Sequence, residues 1–324
     1  MTSAPEYLHA LLLNGQGGAR TLTADELNRW QPDDGILWLH LDYTLDSTRT
    51  WLEQESGLPE LAAEALLAEN TRPRAASLGE YLLLALRGVN TNPDADPEDM
   101  VSIRLCVSER LIVSTRKRRL MSVTRLLELF EQGQGPQSSA ELIIQLNELL
   151  VARMGITVEE LEEQLSDLEL DLLTQPGNEM RQAVRNLRRQ TVTLRRYFAP
   201  QRDAFNQLLS ERLSWFTTDM KLELREISDQ LLRHIEDLDI IRERAAMAQE
   251  ELASQQGEQL NQRMYVLSII SAIFLPLGFL TGLLGINVGG IPGADNDSAF
   301  ALFLGSLIVL VGGLLVLFRR WRWI

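Results

Sequence analysis

The stretch that decides the fold is YVLSIISAIFLPLGFLTGLL, residues Tyr265–Leu284, which contains 20 residues and no charge. A second stretch of 20 uncharged residues, AFALFLGSLIVLVGGLLVLF, occupies Ala299–Phe318. At a rise of about 1.5 Å per residue, each forms a helix about 30 Å long, which matches the hydrocarbon core of a bilayer. A buried helical hairpin in a soluble core is the alternative, but two adjacent charge-free stretches of this length are rare outside membranes. The sequence therefore predicts an integral membrane protein with spanning helices over residues 264–285 and 299–318.

Basic residues flank the two predicted spans on one side only. Arg263 precedes the first span, and three arginines follow the second within a tail of residues 319–324. The connecting segment, residues 286–298, has no base and two acids, Asp295 and Asp297, which are candidate cation attractors. Because basic flanks remain in the cytosol, both termini are expected there and the connecting segment is expected outside.

The part of the chain that precedes the spans is strongly acidic. The sequence has 31 bases and 45 acids, of which four bases and two acids lie in residues 263–324. Residues 1–262 therefore contain 27 bases and 43 acids, which gives a net charge of −16. Such a surface attracts cations and has no surplus of positive charge for nucleic acid. The single cysteine, Cys106, excludes a multi-cysteine zinc site, and only three histidines are present. No phosphate loop, nucleophile elbow or metal-ligand cluster is found, so we expect no catalytic residue, no cofactor and no enzymatic activity.

This acidic part divides into two predicted domains. Residues 1–135 have the short apolar runs and turn signals of a mixed α/β domain. Residues 136–263 have leucines at spacings of three and four, which indicate a helical domain and stalk. One helix is predicted from Glu179 to Phe198, where Pro200 is expected to end it. The fold class is therefore α+β, with a long stalk helix that continues into the first span. The predicted strands are Tyr7–Leu13, Ile36–Leu41, Tyr81–Val89, Val101–Val107 and Leu111–Thr115, and the predicted short helices are Ser47–Glu55 and Pro59–Glu69.

A nearly heptad apolar stripe runs along the stalk from Met220 to Leu252. Periodic helices of that length are normally bundled or coiled, which indicates an oligomeric stalk. His234 lies on or beside the stripe, and we interpret it as a packed or surface histidine rather than a metal ligand. Closer to the span, amides such as Gln255 and Gln262 replace the aliphatic residues. This change fits either a bundle that opens onto a wet central path or a frayed linker.

Small and weakly polar residues form a second stripe within the first span. They recur at alternating steps of four and three residues, and such a seam either lines a pore or forms a close contact between helices. Pro276 removes one backbone hydrogen bond in mid-span and is expected to bend the helix. Two spans cannot enclose a water-filled path, so a pore requires several copies of the first span around it. The stripe comprises Met264, Ser268, Ser271, Leu275, Gly278 and Gly282.

The outer end of the first span carries the tripeptide Gly285-Ile286-Asn287. A helix C-terminus presents unpaired carbonyls and a partial negative charge, so a ring of such ends attracts cations. Gly285 permits a sharp turn and a close approach to neighbours. Asn287 offers a neutral amide oxygen, which holds the hydration shell of a divalent ion without trapping it. These three residues are therefore a candidate selectivity site, although Gly-x-Asn alone is a short and common pattern.

The whole arrangement resembles the CorA superfamily of divalent-metal transporters. A long helix enters the first span, a proline lies in mid-span, Gly-Ile-Asn follows, and a short loop, a second span and a basic tail complete the chain. Magnesium-type members generally have Gly-Met-Asn followed by an acidic loop. Here Ile286 replaces that methionine, and Gly289–Gly293 replace the acidic loop. This variant is similar to the zinc-transporting ZntB branch. The resemblance implies a funnel-shaped homopentamer in a bacterial inner membrane, with five first spans around the pore and five second spans outside them.

The resemblance also implies a pathway and a cargo. The expected cargo is zinc, taken up substantially hydrated because the path lacks the Cys and His that bare zinc prefers, with proton coupling left open. The expected partners are further copies of the chain, divalent metal ions and lipid. One alternative is a CorA-like channel for magnesium, cobalt or nickel, and another is a membrane-anchored metal sensor or scaffold that does not conduct. The residues implied to face the pore are Asn261, Met264, Leu267 or Ser268, Ser271, Leu275, Gly278, Gly282, Gly285 and Asn287.

Overall fold

The computed structural model of the protein describes residues 7–69, 71–172, 178–285 and 297–321. The chain divides into two compact units, Met1–Gln249 and Glu250–Ile324. The first unit contains a β-sheet and the helices that cover it, and the second contains the two apolar helical stretches. The predicted domain boundaries at residues 135 and 263 stay predictions.

One mixed sheet forms the centre of the first unit. Its described strands are β1 (Tyr7–Leu13), β2 (Ala19–Thr21), β3 (Ile36–Asp42), β4 (Arg74–Leu78), β5 (Tyr81–Gly88), β6 (Val101–Val107) and β7 (Leu111–Arg116). They lie in the order β2-β1-β3-β7-β6-β5-β4. The central pair, β3 and β7, is parallel, and the other described neighbours pair antiparallel. Strands β3, β6 and β7 are buried on both faces, so their burial does not alternate, and they bury polar side chains such as His40, Arg104 and Ser114 beside the apolar ones.

Helices cover both faces of this sheet. The described helices are α1 (Ala24–Leu27), α2 (Asp46–Gln54), α3 (Glu60–Leu67), α4 (Met121–Glu131), α5 (Ser139–Leu172), α6 (Asn178–Ser210), α7 (Thr218–Leu284) and α8 (Ala299–Arg320), with a short 3-10 helix at Pro32–Asp34. On one face, α2 and α3 share a core with Leu37, Leu39 and Leu41 of β3. On the other face, the ring of Trp38 lies 6.1 Å from that of Phe130 in α4. The alternation of side chains along β3 thus supplies both layers of the core.

Helices α5, α6 and α7 are joined to one another by side-chain contacts. Arg195 Nε of α6 lies 2.7 Å from Asp239 Oδ1 of α7, and Arg244 Nη2 of α7 lies 2.6 Å from Glu169 Oε2 of α5. His234 of α7 lies directly over Gly155 of α5, where an added Cβ would be 2.8 Å from the imidazole. His234 is therefore a packed residue, as predicted.

The apolar stripe of α7 is buried inside its own chain. Leu224, Leu231 and Leu238 have no exposed surface, and Ala245 continues the same line. These side chains fill the core of the first unit, so the stripe does not indicate contacts between copies of the chain. This corrects the interpretation of the heptad pattern as an oligomeric seam.

The five predicted strands and the two short helices are confirmed, with ends that differ by at most two residues. The predicted helix end at Phe198 is wrong, because α6 continues through Pro200 to Ser210. Beyond the proline, Phe205 is buried, and Gln201 Oε1 accepts a hydrogen bond from the backbone N–H of Arg87 at 2.7 Å. This packing outweighs the cost of an interior proline, about 3 kcal/mol.

Candidate ion pathway

Two apolar helical segments lie in the second unit. Helices α7 and α8 each contain a stretch that is long and apolar enough to cross a membrane, and neither stretch is buried inside the chain. Such surfaces are covered by lipid or by other subunits in a membrane protein. The two segments coincide with the charge-free stretches of the sequence.

The first span has two different faces. Partly shielded residues recur at steps of three and four on one face, around Ile273 and Pro276, and α8 has a similar shielded line around Leu307 and Leu314. At about 100° per residue, the centre of the predicted pore stripe lies about 150° from the shielded line of α7. The structure therefore brings the predicted pore residues together on one open face of the helix. They are Asn261, Met264, Leu267, Ser268, Ser271, Leu275, Gly278, Gly282 and Gly285, each of which is exposed in the single chain.

Hydroxyl groups on this helix donate to the backbone one turn earlier. Ser268 Oγ donates to the carbonyl of Met264 at 2.8 Å, and Ser271 Oγ donates to that of Leu267 at 2.8 Å. Both hydroxyl hydrogens are engaged within the helix, so the oxygens retain lone pairs as acceptors. Acceptor oxygens interact favourably with cations and with their hydration water.

The glycines of the stripe differ in their surroundings. A Cβ at Gly278 or Gly282 would meet nothing within 4 Å in the described chain, whereas a Cβ at Gly285 would lie 2.8 Å from the carbonyl oxygen of Thr281. The N–H of Gly285 donates to that same oxygen at 2.9 Å. Gly285 therefore ends the helix in a geometry that excludes a side chain.

Thr281 supports the end of the helix rather than the predicted pore stripe, from whose centre it lies about 100° around the helix axis. Its hydroxyl donates to the carbonyl of Leu277 at 2.9 Å, and its own carbonyl accepts the N–H of Gly285. The sequence pattern does not select Thr281, because its role depends on the hydrogen bond to Gly285 one turn later.

Part of the predicted selectivity site lies outside the described residues. The residues outside the described ranges are Ile286, Asn287 and Asp295. Asp297 is described, and it is exposed in the turn that precedes α8. Their roles stay predictions. Directly before the first span, residues 255–262 are helical and mostly exposed, so the alternative of a frayed linker at these amides is wrong.

The described residues contain no group of three or more His, Cys, Asp or Glu that would hold a metal ion. Residues 264–284 also contain no Asp, Glu, Lys, Arg or His. The candidate pathway therefore offers carbonyl, hydroxyl and amide oxygens, which favour weak contact with hydrated cations over tight coordination.

Comparison with known proteins gives matches over nearly the whole chain. A family model described as "CorA-like Mg2+ transporter protein" matches residues 33–320. The "Divalent cation transporter CmaX" of Pseudomonas aeruginosa is 41% identical over 325 residues, which cover 98% of this chain and 96% of CmaX. The "Zinc transport protein ZntB" of Yersinia enterocolitica is 38% identical over 322 residues, with 98% and 96% covered.

Solved structures have the same fold. The full-length CmaX structure has a TM-score of 0.85 at 39% identity and covers 99% of both chains. The complete CorA magnesium transporter of Methanocaldococcus jannaschii has a TM-score of 0.84 at 19% identity, covering 98% of this chain and 100% of that one, which supports the fold alone. The resemblance to the CorA superfamily and its ZntB branch is confirmed, and the chain belongs to the family of CorA-like Mg2+ transporter proteins.

Proposed function

We propose that this protein carries hydrated divalent cations, with zinc as the principal cargo, across a bacterial inner membrane through the axis of a homopentamer. Members of its family are ion transporters rather than enzymes. The observation that carries the proposal is the open face of α7, where small residues and acceptor oxygens line one side of an uncharged helix. Several copies of that face around one axis form a wet path, since one chain with two spans cannot enclose it.

The ion passes with most of its hydration shell. Zinc that sheds its water prefers thiolate and imidazole ligands, and residues 261–287 contain neither Cys nor His. In the proposal Asn287 and the carbonyls at the end of α7 hold this hydrated ion at the outer rim, and Asp295 and Asp297 raise the local cation concentration there. No resident cofactor is part of the proposal, and the metal is cargo.

Zinc is chosen over other divalent ions because several relatives at 36–38% identity are named zinc transport proteins. The second candidate is a broader divalent-cation channel that includes magnesium, cobalt and nickel. It is favoured by the 41% identical relative, whose name specifies only divalent cations.

Orientation follows from charge, because arginines flank both spans on the side away from residues 286–298, so we place both termini in the cytosol. We propose uptake on the resemblance to the ZntB branch, not on charge. Proton coupling cannot run through a carboxylate or imidazole in residues 264–284, because that segment has none. Any coupling therefore involves groups outside the first span.

The test is zinc and magnesium flux into proteoliposomes that contain the purified protein, with and without a pH gradient. Asn287→Ala is expected to reduce zinc flux strongly. Asn28→Ala is the matched control, because it removes the same amide from an exposed position at the end of α1 and should leave flux unchanged. Native mass spectrometry of the same sample is expected to give five subunits.

Three results would each contradict a different part of the proposal. Magnesium flux that exceeds zinc flux without a pH gradient would favour the broader channel. Wild-type flux in Asn287→Ala would place the selectivity site elsewhere. Metal binding without any flux would favour a sensor or scaffold.

A further inference from the structure

A polar cavity of about 570 Å³ lies in the first unit, far along the chain from the spans. It is formed where the two parallel strands end, because Tyr43 and Thr44 follow β3 while Lys117 and Arg118 follow β7. The carboxyl ends of parallel strands meet at one edge of a sheet, and in α/β proteins this edge is a common place for ligands. Strand β5 and helix α6 contribute Arg87 and Tyr197 to the same cavity.

The lining is cationic, although the protein as a whole has a net charge of −14. Four bases and two acids, Glu69 and Asp99, line the cavity. Asp99 is already paired with Arg118, whose Nη2 lies 3.0 Å from Asp99 Oδ1. Lys117 is exposed and forms no ion pair with any residue that the structure describes. The bases are Arg49, Arg87, Lys117 and Arg118.

Arg87 is held rigidly in the cavity wall by neutral groups. Its Nη2 and Nε donate to the carbonyl of Thr71 at 2.9 and 3.3 Å, and its Nη1 donates to that of Met100 at 3.0 Å. The guanidinium also lies 4.8 Å from the ring centroid of Tyr197. Among the described residues no carboxylate forms an ion pair with it; burial lowers its pKa, and the carboxylate of Asp99 offsets only part of that effect. A half-buried cation without a direct ion-pair partner is costly, and an anion in the cavity would offset that cost.

Arg104 of β6 adds a second buried guanidinium behind the cavity, and the Glu69 carboxylate and Tyr43 compensate its charge only in part. Its side chain is 1% exposed and lies 4.3 Å from the ring centroid of Tyr43, which lines the cavity. One nitrogen donates to the carbonyl of Glu69 at 2.9 Å, while Nε and Nη1 have no hydrogen-bond partner among the described residues. Burial lowers the pKa of this guanidinium as well, and the nearby Arg87 lowers it further. Two preorganised guanidinium groups that form no direct ion pair among the described residues therefore raise the positive potential at this edge of the sheet.

We propose that this cavity binds a phosphorylated small molecule of nucleotide size. Planar guanidinium groups and a free ammonium match the geometry and the charge of phosphate oxygens. The cavity is within the range of about 300–1,000 Å³ that is typical of small-molecule sites and is larger than one phosphate group needs. Glu69 and the hydroxyls of Thr44 and Ser102 supply hydrogen-bond partners for hydroxyl groups of the ligand, and Tyr43 and Tyr197 supply aromatic surface. The cavity shares no residue with the proposed ion pathway, and the proposal does not depend on which metal is carried.

The experiment is calorimetric titration of the full-length protein in detergent with ADP, in buffer that has been freed of divalent metal so that chelation contributes no heat. Saturable ADP binding that weakens as salt increases is expected, together with no binding of adenosine. Lys117→Ala should weaken ADP binding about tenfold, equivalent to about 1.4 kcal/mol for one charged contact. Arg110→Ala is the control, because it removes an exposed base at the opposite end of β7.

Inorganic phosphate and chloride complete the test. Weaker binding of phosphate than of ADP supports a nucleotide-sized ligand, whereas equal binding overturns that part of the proposal. Competition by chloride as effective as that by phosphate would make the site a general anion site and overturn the phosphorylated class. Absence of saturable ADP binding, or an equal effect of Lys117→Ala and Arg110→Ala, would overturn the proposal entirely.

Discussion

Replacement of Gly285 by alanine should disable transport without unfolding the protein. The added Cβ would lie 2.8 Å from the carbonyl oxygen of Thr281, whereas ordinary contacts of this kind begin at 3.4 Å. The two atoms would therefore have to separate by about 0.6 Å, and overpacking of this kind costs about 1–3 kcal/mol. That energy corresponds to a loss of about 5- to 150-fold in the population of the native helix end. Because Ile286 and Asn287 follow directly, we expect zinc flux in proteoliposomes to fall about tenfold or more in Gly285→Ala.

The matched control is Gly305→Ala in α8, where an added Cβ meets nothing within 4 Å. Both substitutions add one methyl group to an exposed glycine of an apolar helix, so they differ mainly in the contact with Thr281. Gly305→Ala should retain wild-type flux, and both variants should assemble normally on size-exclusion chromatography. Wild-type flux in Gly285→Ala would refute the argument that the geometry of this helix end controls the pathway.

Three further predictions concern the first unit, and thermal unfolding in detergent measures each. Ser114→Ala should lower the free energy of unfolding by about 2–4 kcal/mol, because Ser114 Oγ is the hydrogen-bond partner of both Trp38 Nε1 and His40 Nδ1 in the core, at 2.8 Å from each. An unchanged Tm would mean that the Trp38 and His40 nitrogens find other partners. Pro200→Ala should raise the free energy of unfolding by up to about 3 kcal/mol, since it restores a backbone donor inside α6. A fall in Tm would show that the packing contacts of the proline ring stabilise the fold more than the restored hydrogen bond does. Burial lowers the pKa of His40 well below 6.5, so the unfolded chain takes up a proton that the folded chain does not. The contribution of neutral His40 to the free energy of unfolding is therefore complete above about pH 6.5 and decreases as the pH falls below that value. Equal Tm values at pH 5 and pH 7.5 would contradict this prediction.

The membrane helices are predictable from sequence because each is a long stretch without charge, and the central strands because short β-leaning apolar runs lie between turn signals. The strands β2 and β4 are not, since β2 has three residues and β4, with the sequence RAASL, has no apolar alternation. Strand β4 forms through its pairing with β5 across a two-residue turn, where Leu78 lies opposite Tyr81. Helix α6 continues through Pro200 because the packing of later side chains such as Phe205 outweighs a local preference.

The two sites differ in how far the sequence reveals them. The ion pathway is a local pattern on one helix, so steps of three and four residues are enough to place Ser268, Ser271 and Gly278 on one face. The cationic cavity draws its residues from segments between Tyr43 and Tyr197 that are far apart in the chain. The basic run at residues 116–119 is visible in the sequence, but its convergence with Arg87 depends on strand order.

The hydroxyl orientation on α7 has a consequence for the sign of the charge that can pass. An anion in a narrow passage must replace its water with hydrogen-bond donors, and the hydroxyl hydrogens of Ser268 and Ser271 are both directed to carbonyls of the same helix. The water molecules around a cation are themselves hydrogen-bond donors, so they need only acceptor oxygens in the wall of the passage. In the proposed pore these positions therefore reject anions without a fixed negative charge, and a divalent ion is not held long enough to block the flow.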